Sequence, residues 1–424
     1  MTNTVYIERV GNRIHAKIPF AEGAGPIAAK TISGARWSKQ ATAWTYPLDL
    51  QVCKDLRYTF GRHLQIGPDL WNWAAQEKAK ESEMLALRAS SGEDTDLTHL
   101  PVRYPGLYAA LMTRPYQKVG ALFMANDRNV IIGDEPGLGK TLETLAGLVE
   151  NQARWVLVFA PKTALQAVWG NEIARWMPDV NLSIPGGAKG SRQKTIQEFL
   201  LNDSGAPMNV LVVNTEMART KAFHACGEEI EFCDGKNFDC PESKSHIKWF
   251  EENFPELFSI EWDAVVSDES HNALLGKNTQ VRTGFVNLRA KRKIAMTGTP
   301  FGGKLEKFWG VLNWLRPDVF TSKWRWFHQY FEVTSNGYGH VIGGLLPHRQ
   351  DAFDTMLANY MLRRTKAEVA PDLPPKMYAG TPLAYLDDGS PDPTTVGVWL
   401  EMDPTQAKFY KEMEREALAR IEGG

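Results

Sequence analysis

Five short apolar runs recur along the middle of the chain: NVII (129–132), WVLVF (155–159), NVLVV (209–213), DAVVS (263–267) and KIAMT (293–297). Each is too short for an ordinary helix and too uniformly apolar for a strand with one wet face. Helix-prone stretches lie between them. Strands buried on both faces and joined through helices predict an α/β fold, an open and mostly parallel sheet flanked by helices.

The flanks read differently. Near the start, Val5 and Ile7, then Ile14, Ala16, Ile18 and Phe20, alternate on either side of the turn signal Gly11-Asn12, and Trp37 and Trp44 bracket a polar turn. These predict two hairpins, followed by a short helix from about Leu50 to Phe60. Residues 1–75 are therefore expected to form a small β-rich α+β domain, 76–103 a helical linker, 104–320 the parallel-sheet lobe, and 321–424 a helical protrusion and linker.

At 424 residues, 43% apolar and 23% charged, the chain suits two or three globular domains and excludes disorder as its main state. Four cysteines, no long apolar run and the start MTNTVYIERV lead to the expectation of a reduced, intracellular protein with no membrane partner. The formal charge of -2 hides an uneven distribution: residues 1–75 hold 9 Lys/Arg against 5 Asp/Glu. Positive charge is locally available for an anionic partner.

Chemistry gathers around the strand candidates. GDEPGLGKT (133–141) sits between NVII and an apolar-periodic helix, where backbone N–H groups and a helix N-terminus meet a phosphate. Gly137, Leu138 and Gly139 would form the turn, Lys140 would neutralise β/γ-phosphate charge, and the Thr141 hydroxyl would hold Mg²⁺. The usual G-x-x-x-x-G-K-[ST] pattern nevertheless requires glycine where Asp134 stands. WDAVVSDESH (262–271) ends in two acids: Asp268 suits Mg²⁺, and Glu269 suits the orientation and deprotonation of water. TGTP (297–300) could relay hydrogen bonds through Thr297 and Thr299, and RPYQ places Gln117, with Arg114 beside it, where an amide could read adenine. Each motif alone also suits an ordinary turn or helix start.

Taken in order, RPYQ, DEPGLGKT, FAPKTALQAVWGNEIARW, VVNTEMAR, DESH and TGTPFGGKLEKFWGVLNWLRPDVF resemble the first RecA-like lobe of the Swi/Snf family of DNA-dependent ATPases, within helicase superfamily two. MLRRTKAEVAPDLPPK (361–376) resembles that family's segment between lobes. The family usually reads D-E-x-G-x-G-K-T at the phosphate loop, so Asp134 and Glu135 belong to its own version. The resemblance implies an ATP- and Mg²⁺-dependent translocase on double-stranded or branched DNA, with Lys140, Asp268 and Glu269 catalytic. It also implies DNA contacts at Lys162, Thr163, Thr215, Thr297 and Thr299, with Arg282, Arg289, Lys291, Arg292 and Lys293 as further candidates. Arg363-Arg364 would brace the lobes or serve the nucleotide cleft.

Two departures stand out. The family carries Asn soon after TGTP, where this chain has Gly302-Gly303, and the interval from Thr141 to Asp268 is stretched relative to the family by an insertion of about 217–256; a larger gap is the second lobe with its arginine finger, which has no match in these residues. A longer protein with a second lobe, monomeric and intracellular, placed in the cytoplasm or nucleoid if its source is bacterial or phage, is the expectation, with weak hydrolysis by this portion alone. The N-terminal segment loosely resembles HARP-type accessory domains; DNA anchoring and pure packing are both open to it. In the insertion, Cys226, Cys233 and Cys240 with His224 or His246 offer zinc ligands, but the even spacing lacks a CxxC knuckle and equally suits a surface insertion. A DExH RNA helicase and a catalytically silent nucleic-acid-binding module are the rival functions.

Overall fold

The computed structural model describes residues 4–19, 24–126, 128–202, 204–224, 247–274, 279–301, 305–335, 340–369, 381–382 and 396–397. Cys226, Cys233, Cys240, His246, Gly302-Gly303 and most of the C-terminal part of the expected 321–424 protrusion and linker lie outside these residues. The chain divides into two compact units, 1–369 and 370–424. Of the second, an antiparallel pairing of Thr381–Pro382 with Val396–Gly397 is described.

The first strand, β1 (Val5–Val10), turns at Gly11, whose φ of 58° is the left-handed conformation glycine tolerates, and returns as β2 (Arg13–Lys17). β3 (Arg36–Ser38) and β4 (Ala43–Pro47) make the second hairpin, with Trp37 opposite Trp44 at 5.6 Å between rings, and β5 (Leu64–Ile66) runs parallel to β1. The sheet order is β3-β4-β2-β1-β5. Helix Leu50–Phe60 starts at Asp49, whose carboxylate accepts the N–H groups of Gln51 at 2.9 Å and Val52 at 3.4 Å.

The parallel sheet follows. Its strands include β6 (Val130–Ile132), β7 (Trp155–Ala160), β8 (Asn181–Ser183) and β9 (Asn209–Asn214). Outside it, β10 (Thr220–His224) and β11 (Ile247–Glu252) pair with each other at the root of the insertion. The sheet resumes with β12 (Trp262–Ser267) and β13 (Ala290–Met296). After an antiparallel pair, β14 (Phe331–Ser335) and β15 (His340–Leu345), the chain re-enters the sheet as β16 (Met361–Leu362). Seven strands stand in the order β16-β6-β13-β12-β7-β9-β8, every pairing parallel. All five apolar runs are strands of this sheet. β8 and β16, too short and too plain to read from sequence, complete its edges.

Strand alternation sends side chains to two cores. Val130, Ile132, Val156, Val158, Val210, Val212 and Val266 join Leu107, Phe123 and Leu145 on one face, whereas Ile131, Leu157, Phe159, Leu211, Val213 and Val265 join Phe285, Phe308 and Trp314 on the other. Each such burial contributes about 1.5–3 kcal/mol, which is why both faces read as continuous apolar runs. The second core is continuous with that of the N-terminal sheet, which contributes Ile7, Ile14, Tyr46 and Leu56 to it. Polar contacts reinforce the junction: Arg316 Nη1 meets Asp49 Oδ2 at 3.0 Å, Arg349 Nη2 meets Asp55 Oδ1 at 3.3 Å, and Gln329 Nε2 donates to Asp55 Oδ2 at 2.7 Å. This is the RecA-like α/β architecture expected from sequence.

Candidate nucleotide-binding site

The chemically marked residues lie where the parallel strands end. The chain leaves β6 into Gly133–Gly139 and enters helix Lys140–Glu150. Gly137 and Gly139 have φ of 89° and 83°, and Leu138 between them is buried. The left-handed φ demands glycine at 139, and a Cβ there would stand 2.2 Å from Gln117 Nε2 and push that amide aside. Lys140 Nζ donates to the carbonyl of Asp134 at 2.8 Å and of Glu135 at 3.4 Å, folding back over its own loop. Burial lowers its pKa, while Asp134, Glu269 and Asp268 draw it upward. Thr141 occupies the first turn of the helix.

From the end of β12, with β13 between it and β6, come the acids. Asp268 and Glu269 follow β12, and Asp268 Oδ2 accepts the indole N–H of Trp169 at 3.1 Å while Oδ1 accepts the Glu269 N–H at 2.9 Å. Burial raises the Asp268 pKa against those hydrogen bonds and Lys140. Glu269 holds φ 47°, ψ 47°, an uncommon conformation for a residue with a Cβ and of the kind found where a side chain must be aimed. Its Oε2 stands 3.3 Å from His271 Nδ1, and that nitrogen is 2.9 Å from Thr297 Oγ1, which also accepts the Thr299 N–H at 3.1 Å. The acids after β12 are thereby linked to the TGTP turn after β13.

Asp134, the residue in the place of a glycine, is fully buried, and so is Glu143 one turn into the helix. Between them lies the Arg364 guanidinium, which follows β16 and binds both carboxylates, with Nε to Asp134 Oδ2 at 3.0 Å and Nη2 to Glu143 Oε1. It also donates to the Tyr116 carbonyl and lies over that ring, 5.1 Å from the centroid. Burial, reinforced by Asp134 and only partly offset by Arg364, pushes the Glu143 carboxyl up to about 8. Its Oε2 has no hydrogen-bond partner. One cation thus ties the loop, its helix and the edge strand together.

Gln117 is buried against the loop, and its Nε2 donates to the Leu138 carbonyl at 2.9 Å, alongside Tyr116 Oη at 3.1 Å. Arg114 is exposed at the start of that helix. Lys162 and Thr163 after β7 and Thr299 after β13 are exposed, Thr215 after β9 is half-buried, and Thr297 is buried; all share the strand-end edge with the phosphate loop. The basic run Arg289–Lys293 occupies the start and middle of β13, roughly 10–23 Å from that edge at the rise of an extended strand. There Lys291 pairs with Asp263 at 2.8 Å and Lys293 Nζ donates to the Trp314 carbonyl at 3.0 Å. Arg282 is buried against Asn313 and Trp309.

The SNF2-related domain matches residues 38–383, most of the chain. The protein belongs to the SNF2-related family. Among its relatives, the ISWI chromatin-remodeling complex ATPase ISW1 of Saccharomyces cerevisiae is 27% identical over 321 residues, covering 73% of this chain and 23% of that protein. The probable ATP-dependent DNA helicase CHR12 of Arabidopsis thaliana is 29% identical over 287 residues, covering 64% and 22%. The chain therefore spans about a quarter of the length of such relatives. A solved SWI2/SNF2 ATPase core of Sulfolobus solfataricus in complex with dsDNA aligns with TM-score 0.42 and 20% identity, over 73% of this chain and 53% of that one.

Within this SNF2-related lobe, several functional contacts escaped sequence reading: Trp169 on Asp268, His271 between Glu269 and Thr297, and the Arg364–Glu143 pair. The family pattern marked the Trp and both arginines without assigning partners. No group of three or more His, Cys, Asp or Glu placed to hold a metal occurs among the described residues. Asp268 and Thr141 still suit Mg²⁺, which takes one or two protein oxygens and completes its shell with phosphate and water. No described helix is long and apolar enough to cross a membrane.

Proposed function

We propose that this SNF2-related chain is the nucleotide-hydrolysing lobe of a double-stranded DNA translocase, with Lys140, Thr141, Asp268 and Glu269 as its machinery. The observation carrying the reading is that the glycine cradle and the ammonium after β6 and the two acids after β12, parallel strands with only β13 between them, share one edge of the sheet, where open α/β sheets bind ligands. Lys140 exchanges its carbonyl partners for the more strongly negative β/γ-phosphate oxygens. Thr141 and Asp268 hold Mg²⁺, which neutralises phosphate charge when bound. Glu269, aimed by its backbone and steadied by His271, orients water and takes its proton.

DNA is placed along the same edge, at Lys162, Thr163, Thr215 and Thr299, where ammonium and hydroxyl groups suit phosphate oxygens without reading sequence. The N-terminal domain is read as a DNA anchor: Lys30, Arg325, His328, His348 and Arg349 line a cavity of about 560 Å³ between it and helix Lys323–Tyr330, with Asp55 the one acid. An arginine finger contributes about 10³–10⁵ in rate to such hydrolysis, so slow turnover is proposed for these 424 residues alone.

The test is Glu269→Gln, made in the 424-residue chain and in any longer natural form. It should bind ATP like wild type and lose at least ~10²-fold in hydrolysis, the scale of an absent general base. Unchanged hydrolysis refutes the mechanism. Stimulation of the wild type by duplex RNA but not duplex DNA would instead select an RNA helicase.

A further inference from the structure

The residues after β16 run beside the phosphate loop and are bonded to it at nearly every step. Gly133 N–H donates to the Leu362 carbonyl at 2.7 Å, and Arg363 Nη1 donates to the Gly133 carbonyl at 2.8 Å. Arg364 N–H donates to Asp134 Oδ1 at 2.9 Å, and Glu135 N–H to the Arg364 carbonyl at 3.0 Å. Lys366 N–H then donates to Glu135 Oε2 at 2.8 Å. Asp134 and Glu135 are therefore acids for a local reason: each carboxylate receives a backbone N–H of this segment. Helix Lys366–Val369 begins where the stitching ends.

This register sets the Lys366 side chain over the loop. A Cβ on Gly137 would meet Lys366 Nζ at 3.4 Å and Cε at 3.5 Å. Lys366 is exposed, and no carboxylate lies within ion-pair distance of its ammonium among the described residues. An ammonium with no carboxylate partner among the described residues, held above a left-handed glycine at the rim of a turn that already has Lys140 inside it, is complementary to a polyphosphate.

The geometry points to Lys366 as a second phosphate ligand of the bound nucleotide, supplied from the segment that leaves the lobe. The inference rests on the nucleotide-site reading above and adds a contact from outside the loop. It makes Glu135 a positioning residue, since its carboxylate fixes the Lys366 backbone, and it makes nucleotide binding report on where the departing segment lies.

A fluorescent ADP or ATP analogue with Mg²⁺, titrated into the 424-residue protein, tests it. Lys366→Ala should weaken binding about tenfold, as expected for one lost charge-assisted contact, and flatten the salt dependence. Lys366→Arg should bind within about threefold of wild type, because a guanidinium keeps the charge. The melting temperature without nucleotide should stay unchanged for both, while the nucleotide-induced rise shrinks for Lys366→Ala. If Lys366→Ala binds like wild type while Lys140→Ala does not, the inference is wrong and the nucleotide site stands. If Lys366→Ala melts lower without nucleotide, Lys366 serves the fold and the inference again fails. If the wild type binds neither analogue, the nucleotide-site reading itself is wrong.

Discussion

Replacing Arg364 by Met removes the cation between Asp134 and Glu143 while keeping much of the side chain's length. Both carboxyl side chains have 0% exposure and the arginine only 11%, so water cannot take over the lost role. Removing one partner of a buried ionic group costs about 3–5 kcal/mol, because the remaining charge is left without compensation. Glu143 can shed its charge by taking up a proton, as its raised pKa indicates, which places the expected loss near the lower end of that range. A total stability of roughly 5–15 kcal/mol makes this a large fraction. Urea unfolding followed by tryptophan fluorescence should show the midpoint fall with little change in slope. Adding Asp134→Asn and Glu143→Gln to Arg364→Met should restore at least half of the loss, since no net charge then remains buried. A single variant that costs under about 1 kcal/mol, or a triple variant no more stable than the single, would refute the electrostatic account.

Two further outcomes follow from the same loop. Glu143 has a folded pKa of about 8 against an ordinary 4.5, so its contribution to stability is fully present below pH 4.5 and is lost as pH rises through 8. Glu143→Gln should remove that decline, so that the stability difference between variant and wild type shifts in the variant's favour from pH 4.5 to 8, measured by unfolding at fixed ionic strength. Gly139→Ala must force a left-handed backbone on alanine at φ 83° and push a methyl into Gln117 Nε2, costing about 1–2 kcal/mol for the backbone alone. Calorimetry should show a lower melting temperature and nucleotide titration a loss of affinity.

The parallel sheet was legible because its strands are buried on both faces, so runs such as WVLVF and NVLVV need no alternation to be read. β8 and β16 were not, since Asn181–Ser183 and Met361–Leu362 are edge pieces defined by pairing with β9 and β6 rather than by their own composition. At the site, Gly137, Gly139 and Lys140 were readable from local backbone demands. Partnerships across the chain were not: Asp134 and Arg364 are 230 positions apart, and neither spacing nor propensity records which arginine a buried acid will meet. The left-handed Glu269 likewise has no signature in its sequence, because glutamate is not a residue that announces such a backbone.

The shared core between the N-terminal sheet and the lobe changes what deletion experiments can mean. Cutting the chain before Pro68 would strip Arg316 and Arg349 of Asp49 and Asp55 and remove Ile7, Ile14 and Leu56 from the core cluster they share with the lobe. An inactive truncation would then register a wounded lobe rather than a missing grip on DNA. The role of that domain is better separated by changing Lys30, an exposed residue lining the cavity, where charge can be removed without opening the core.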